Sequence, residues 1–236
     1  MSGPASDTLI IALDVADAAT ARGLISHLGD TVSFYKIGHE LLFAGGLELA
    51  AELVSGSGSV AAKRVFLDMK LLDIGNTMER SVANAARMGV DFLTIHGHDT
   101  KTVRAAVAGR AGSPLKLLAV TVLTNLDASD LAEHGTSLSP AELVLRRAKI
   151  AQDAGADGVI ASGHEAAAIR AATGPDFLIV TPGIRPAGSA MGDQTRVMTP
   201  SEAIAAGANH IVVGRPITAA ADPREAARAI LRELEN

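Results

Sequence analysis

The chain contains no cysteine and no tryptophan, and it has only one tyrosine and five phenylalanines in 236 residues. Without cysteine, neither disulfide bonds nor thiolate ligands for a metal are available to the fold. The lack of cysteine agrees with a cytoplasmic protein, and we expect that location. With 3% aromatic residues, the chain also has few rings on which nucleic-acid bases could stack.

A basic surface and long apolar runs are missing as well. The net charge is −5, and the lysines and arginines form no block, which argues against binding to nucleic acid. No apolar run approaches the roughly 20 residues that a membrane-spanning helix needs. The first residues lack the basic segment and apolar core of a signal peptide. An anionic ligand would therefore depend on a few locally placed lysines and arginines.

Short apolar runs recur along the chain, and each is followed by a segment with a helical pattern. The runs that we interpret as buried parallel strands are 9–13, 33–38, the start of 65–77, 92–96, 115–122, 158–161, 177–181 and 210–214. The helical patterns that follow them cover about 16–28, 40–54, 77–88, 99–111, 140–154, 165–172, 200–206 and 223–234. This alternation predicts an α/β fold, a single-domain (β/α)₈ TIM barrel over residues 1–236.

A doubly wound open sheet is the competing fold for the same alternation. In that fold a glycine-rich turn normally follows the first strand. Here the turn is Asp14-Val15-Ala16-Asp17, which contains no glycine. The barrel is therefore the prediction that the sequence favours.

The third apolar run leads directly into charged residues. Asp68 and Lys70 are two apart, and positions two apart on a strand point to the same side, so we expect these side chains to project together. Asp73 falls beyond the strand, and Asn76 or Thr77 is expected to cap the next helix. Because α/β proteins display their chemistry at the carboxyl ends of strands, this stretch is the first candidate for an active site. A surface ion-pair ladder is the alternative.

Polar residues end most of the other runs too. In a barrel the active site lies at these carboxyl ends, with a phosphate group commonly held near the seventh and eighth strands. Arg185 and Arg215 fall there, next to Gly183 and Gly214, which allow backbone N–H groups to come close to a ligand. The ends together present Asp14, Lys36, Asp68, Lys70, His96, Thr124, Arg185, Gly214 and Arg215.

Asp14, Lys36, Asp68, Lys70 and Asp73 form a set of alternating charges. Such a set could hold a divalent metal, or it could act without one. Two unit charges about 4 Å apart interact by roughly 4 kcal/mol at an effective dielectric near 20. A substrate carboxylate pressed against an aspartate would lose this repulsion on leaving as CO₂, while a neighbouring lysine would stay attracted to the carbanion. Such an array favours the transition state over the ground state.

The histidines are less informative than the acids and lysines. His96 and His98 are two apart after the fourth strand, a spacing that could bind a metal. A structural or substrate-packing role for His96 is the preferred interpretation. We assign no chemistry to the other histidines.

These residues together resemble the orotidine 5′-phosphate decarboxylase family, and the resemblance spans nearly the whole chain. The Asp-x-Lys-x-x-Asp core is shared with metal-dependent sugar-phosphate enzymes, and the full ordered set is far more specific. The matching motifs are Ala12-Leu13-Asp14, Lys36-Ile37-Gly38, Asp68-x-Lys70-x-x-Asp73-Ile74-x-Asn76-Thr77, Pro182-Gly183-Ile184-Arg185, Asp193-Gln194 and Gly214-Arg215-Pro216.

The resemblance implies an enzyme that converts orotidine 5′-monophosphate to UMP, the last step of pyrimidine nucleotide synthesis, without cofactor or metal. It implies that Lys70 protonates the C6 carbanion and that Asp68 faces the substrate carboxylate. It further implies that Lys36 links Asp14 to Asp68 and touches the ribose. A homodimer with active sites at the interface is also implied, with Asp73 and other residues of its loop reaching into the partner.

The same resemblance assigns the remaining substrate contacts. Ile74 and Thr77 belong with Asp73 in the loop at the dimer interface, and Thr124 would face the pyrimidine. The phosphate end would be held by Gln194, Arg185, Gly214 and Arg215. The glycine-containing segment 187–192 is a candidate lid over the phosphate. One departure from the family pattern is Gly75, where the family commonly has proline.

Two rival functions remain for testing. One is a metal-dependent relative acting on a 3-keto sugar phosphate, which would need carboxylates that are not already neutralised by Lys36 and Lys70. The other is a non-catalytic barrel that senses nucleoside phosphates, for which a proton donor such as Lys70 would be unnecessary.

Overall fold

A computed structural model describes residues 5–56, 61–186 and 198–235. Parallel strands close into a barrel in which each strand pairs with the next along the chain and the last pairs with the first, so the predicted fold is confirmed. The strands are β1 (Leu9–Ala12), β2 (Phe34–Ile37), β3 (Arg64–Leu71), β4 (Phe92–His96), β5 (Lys116–Val120), β6 (Gly158–Ile160), β7 (Leu178–Thr181) and β8 (His210–Val213).

Helices surround the barrel. They are α1 (Ala5–Thr8), α2 (Ala18–Leu28), α3 (His39–Leu41), α4 (Leu47–Ser55), α5 (Gly75–Met88), α6 (Thr100–Gly109), α7 (Ala128–Glu133), α8 (Pro140–Asp153), α9 (Gly163–Thr173), α10 (Pro200–Ala205), α11 (Arg215–Thr218) and α12 (Pro223–Glu235). No helix in the described part of the chain is long and apolar enough to cross a membrane.

The strands are apolar on both faces because they bury one face inside the barrel and the other under the helices. Inside the barrel a compact cluster fills the space, made of Ile10, Ala12, Phe34, Phe66, Phe92, Leu118, Val180 and Val212. A larger apolar cluster lies between the strands and the helices. The barrel is therefore packed through its middle, and open space is left only toward the strand ends.

Three helix predictions need correction. The helix expected over 40–54 is interrupted by a wider turn at Leu42–Gly46, where Gly45 has a φ of 92°. The polar segment after β5 contains an additional helix, α7, whose start is capped reciprocally by Asp127 and Asp130. The Asp-x-x-Asp pattern is the sequence signal that would have predicted it.

The start of α5 also differs from the prediction. Neither Asn76 nor Thr77 caps the helix; the extended residue Ile74 precedes it and Gly75 begins it, with no side-chain cap. The carboxylate of Asp73 accepts a hydrogen bond from the Ile74 N–H at 2.6 Å. A carboxylate next to a helix start is favourable because the first N–H groups of the helix carry partial positive charge.

Candidate active site

A cavity of about 440 Å³ opens at the carboxyl ends of the strands. It lies above the apolar plug of the barrel, where the loops after the strands surround it. Charged residues line one side and apolar residues the floor, and the full lining is Ala12, Asp14, Lys36, Glu40, Phe66, Asp68, Lys70, Val120, Val122, Leu123, Thr124, Ile160, Pro182, Gly183, Arg185, Val212, Gly214 and Arg215. The volume lies within the range of small-molecule sites.

The alternating charges predicted from the sequence meet at this cavity. Lys70 Nζ lies 2.9 Å from Asp68 Oδ2, and Lys36 Nζ lies 3.4 Å from the same oxygen. Lys36 also donates to Asp14 Oδ1 at 3.0 Å. A Cβ atom at Gly38 would come 3.0 Å from Lys36 Nζ and 3.1 Å from Asp14 Oδ1, so a larger residue there would press on this ion pair. The four groups form a row in which positive and negative charges alternate.

Burial and charge act in opposite directions on the pKa values of this row. Burial alone would raise the pKa of Asp68, but the ammonium groups of Lys36 and Lys70 outweigh it and hold that pKa below its ordinary value. Burial would likewise lower the pKa of Lys36, yet Asp68 and Asp14 raise it. Asp68 is therefore an anion and Lys36 a cation at neutral pH.

Asp68 and Lys70 come together by a different route from the one predicted. The register between β3 and β4 shifts between Leu67 and Leu71, and Lys70 has a φ of 48°. A lysine in the left-handed region costs on the order of 1–3 kcal/mol and persists only where its surroundings hold it. Thr94 supplies part of that support, because its Oγ1 accepts the Lys70 N–H at 2.9 Å.

Thr94 is a site residue that sequence reasoning missed. It is fully buried on β4, and its hydroxyl donates to Asp68 Oδ1 at 2.9 Å. The only sequence signal was a polar residue at an inward position of an otherwise apolar strand. Glu40, which also lines the cavity, was missed as well, because nothing in the sequence marked α3 as facing the strand ends.

Two arginines occupy the far side of the cavity, after β7 and β8. Arg185 is buried and donates to the carbonyl of Ile184 at 3.0 Å. Burial and the nearby charge of Arg215 lower the pKa of Arg185, so the two guanidinium groups lie close enough to repel. The φ of Gly183 is 78°, which requires glycine at the turn between them. This is the place where barrels of this kind commonly bind a phosphate group.

The predicted substrate residues divide into three groups by position. Asp14, Lys36, Asp68, Lys70, Thr124, Arg185, Gly214 and Arg215 all line the cavity. Asp73 and Ile74 lie outside it and line a separate surface depression with Leu72, Gly75, Lys101 and Thr102, and Thr77 is exposed on α5. Gln194 and the candidate lid at 187–192 lie outside the described residues.

His96 and His98 lie next to each other at the end of β4. Their rings stack with centroids 4.7 Å apart and planes inclined by 28°. In the described part of the chain no group of three or more histidine, cysteine, aspartate or glutamate residues is arranged to hold a metal ion. The stacked pair is therefore a packing arrangement beside the cavity.

Comparison with known proteins identifies the family. Residues 7–230 match the model of the orotidine 5′-phosphate decarboxylase / HUMPS family. An orotidine 5′-phosphate decarboxylase of Afipia carboxidovorans is 54% identical over 228 residues, which cover 97% of this chain and 94% of the relative. A second, from Methylorubrum populi, is 54% identical over 230 residues, with 98% and 96% covered.

Solved structures give the same result. The crystal structure of orotidine 5′-phosphate decarboxylase from Lactobacillus acidophilus superposes with a TM-score of 0.84 at 38% identity, covering 97% of this chain and 99% of that one. The corresponding enzyme from Pyrococcus horikoshii superposes with a TM-score of 0.76 at 26% identity, with 97% and 99% covered. The chain belongs to the orotidine 5′-phosphate decarboxylase / HUMPS family.

Proposed function

We propose that this protein decarboxylates orotidine 5′-monophosphate to UMP and CO₂. The observation that carries the proposal is the position of Asp68, an anion held by Lys36 and Lys70 at the wall of an open cavity. A carboxylate in this position has no reason to bind another carboxylate tightly. It has every reason to favour the loss of one.

The cavity accommodates a nucleotide in one orientation. Its phosphate lies against Arg185 and Arg215, which supply the charge that a dianion requires. Its base lies at the other end, next to Thr124 and Lys70, so that the C6 carboxylate faces Asp68. The ribose between them lies next to Lys36 and Asp14.

The reaction breaks the bond between C6 and the carboxylate carbon, and the electron pair stays on C6. At about 4 Å and an effective dielectric near 20, the repulsion between Asp68 and the substrate carboxylate is worth roughly 4 kcal/mol and disappears with CO₂. Lys70 remains attracted to the carbanion and then transfers a proton to C6, which forms UMP. The resulting neutral amine of Lys70 regains a proton from solvent. Relief of the repulsion alone would correspond to a rate factor of roughly a thousand.

The reaction as written uses only residues of the chain and needs neither metal nor cofactor. The metal-dependent rival requires free carboxylates, whereas Asp68 already contacts two ammonium groups. The decisive experiment follows the loss of orotidine monophosphate absorbance by the purified protein in EDTA, with UMP identified by chromatography. Turnover that EDTA abolishes and magnesium restores would favour the rival, and nucleotide binding without turnover would favour a sensor.

We also propose that the protein works as a homodimer in the cytoplasm. Support comes from exposed apolar side chains around the loop after β3 and the turn after α3. Phe43 is 88% exposed, Ile74 75% and Leu72 52%, which is unusual for large apolar residues unless a partner covers them. Asp73 and Thr77 lie outside their own cavity and would complete the cavity of the partner.

A further inference from the structure

A second cavity lies beside the substrate cavity, next to the carboxyl ends of β4 and β5. Its volume is about 400 Å³, which is enough for a small molecule. It is lined by His96, His98, Val120, Thr121, Leu123, Leu126, His134 and Arg147, and we call it the histidine pocket. Three imidazoles and one guanidinium face this space, and none of the described residues that line it carries a carboxylate.

Arg147 is the main positive charge of the histidine pocket. It projects from α8, is half-buried, and donates to the backbone carbonyl of Thr121. No carboxylate forms an ion pair with it in the described ranges. Burial lowers its pKa, which shows that its charge is poorly hydrated. A guanidinium offers five N–H donors, so most of its capacity is available to a ligand in the pocket.

The imidazoles add further donors and a flat surface. The Nδ1 atom of His96 is buried and has no hydrogen-bond partner among the described residues, although buried polar atoms are nearly always paired. The His96 ring stacks on that of His98, while His134 closes the pocket from the end of α7. Val120, Leu123 and Leu126 supply an apolar wall for an organic group.

We propose that the histidine pocket binds a phosphate group, either as the free ion or on a small organic ester. Arg147 would pair with its charge, and the imidazoles of His98 and His134 would donate to its oxygens. Asp99 is the acidic group that faces His98, and it lies outside the pocket lining. This site is separate from the substrate phosphate position, which lies at Arg185 and Arg215 beyond β7 and β8.

The histidine pocket and the substrate cavity share Val120 and Leu123 in their walls. An occupant of the pocket therefore presses on two side chains that also contact the substrate space. The pocket is in this respect an effector site built next to the reacting end of the substrate. This role goes beyond the proposed reaction and does not depend on it.

The test is a titration with inorganic phosphate and, separately, ribose 5-phosphate, followed through the imidazole NMR signals of His98 and His134. It is done in the Arg215→Ala protein, in which phosphate binding at the substrate cavity is weakened. Arg147→Gln is compared with Arg146→Gln, which makes the same charge change at an exposed neighbour on α8. We expect saturable shifts in the parent and in Arg146→Gln, and affinity at least about tenfold lower in Arg147→Gln.

If Arg147→Gln does not fold, His134→Ala serves as the second variant, because His134 is exposed at the end of α7; its affinity should also fall, read from His98. Tighter binding of ribose 5-phosphate identifies an organic phosphate as the ligand, and tighter binding of the ion identifies phosphate itself. The proposal is overturned if the shifts do not saturate, if the Arg146 and Arg147 variants bind equally, or if the shifts occur only when Arg215 is intact.

Discussion

The hydroxyl of Thr94 ties the carboxylate of Asp68 to the backbone of Lys70. Its Oγ1 donates to Asp68 Oδ1 at 2.9 Å and accepts the N–H of Lys70 at 2.9 Å. One buried side chain of β4 therefore orients the anion and supports the left-handed backbone of the proton donor on β3. We expect Thr94 to act as a positioning residue for both.

Replacing Thr94 with valine keeps the shape of the side chain and removes both hydrogen bonds. A hydrogen bond to a charged group is worth about 1.5–3 kcal/mol, so kcat should fall roughly 10–100-fold. Affinity for UMP should change little, because Thr94 does not line the substrate cavity. Steady-state kinetics and calorimetric UMP binding measure the two effects.

Thr94→Ser is the matched control, because it retains the hydroxyl and should recover most of kcat. A purely structural role for Thr94 would lower kcat and UMP affinity together, and serine would not separate the two. That result would contradict the positioning role.

Replacing Lys70 with alanine removes the proposed proton donor. Turnover of orotidine monophosphate should fall by at least about 10²–10⁴-fold, the range for a positioned general acid. Folding and UMP binding should largely survive, because Lys36 and Thr94 still contact Asp68. Lys149→Ala, on the outer surface of α8, is the control for loss of a lysine. Turnover at the wild-type rate in Lys70→Ala would end the assignment.

Replacing Arg215 with alanine tests the phosphate end of the site. Because Arg215 is exposed, the variant should fold normally, and its affinity for UMP should drop roughly 10–100-fold through loss of a charge-assisted contact. Uridine, which has no phosphate, should bind the variant and the wild type equally. Equal affinity of both proteins for UMP would refute the role of Arg215.

Mixing two inactive variants tests the dimer. Lys70→Ala lacks the proton donor of its own cavity, and Asp73→Asn lacks the acid that we assign to the cavity of the partner. A mixed dimer contains one cavity with both groups intact, so after subunit exchange the activity should return to about one quarter of the wild-type value. Failure of the mixture to exceed its components would show that Asp73 acts in its own subunit or not at all.

His210 makes the stability of the protein depend on pH. Its ring packs edge-on against Phe34 and Phe92 at the amino-terminal end of the barrel, and burial lowers its pKa from 6.5 to about 4. Between these values the unfolded chain binds a proton that the folded chain does not, so the free energy of unfolding falls as pH drops from 6.5 to 4. The contribution of this histidine is about 3 kcal/mol over the window.

Urea unfolding of wild type and His210→Leu at pH 6.5 and pH 4 measures this effect. The variant should be less dependent on pH in that window, whatever its absolute stability. Burial also lowers the pKa of His96 to about 4, and for this reason some dependence should remain in the variant. The interpretation fails if the two proteins lose equal stability between the two pH values.

Much of the site could be predicted from the chain alone. The alternation of apolar runs and helical patterns predicts the barrel, since a parallel strand buried on both faces must be apolar throughout. Once the barrel is known, its strand ends converge on one face, which brings together Asp14 on one run, Lys36 on the next and Arg185 far along the chain. No contact between them needs to be known beforehand.

Other features were decided only by tertiary packing. The bulge in β3 and the left-handed backbone of Lys70 depend on hydrogen bonds from a neighbouring strand, and Thr94 looks like an ordinary strand residue until that strand is placed beside β3. Likewise, the histidine pocket joins residues of β4, α7 and α8 that share no sequence pattern. Periodicity reports which side of its own element a residue occupies, and the residue that it will face depends on how elements pack against each other.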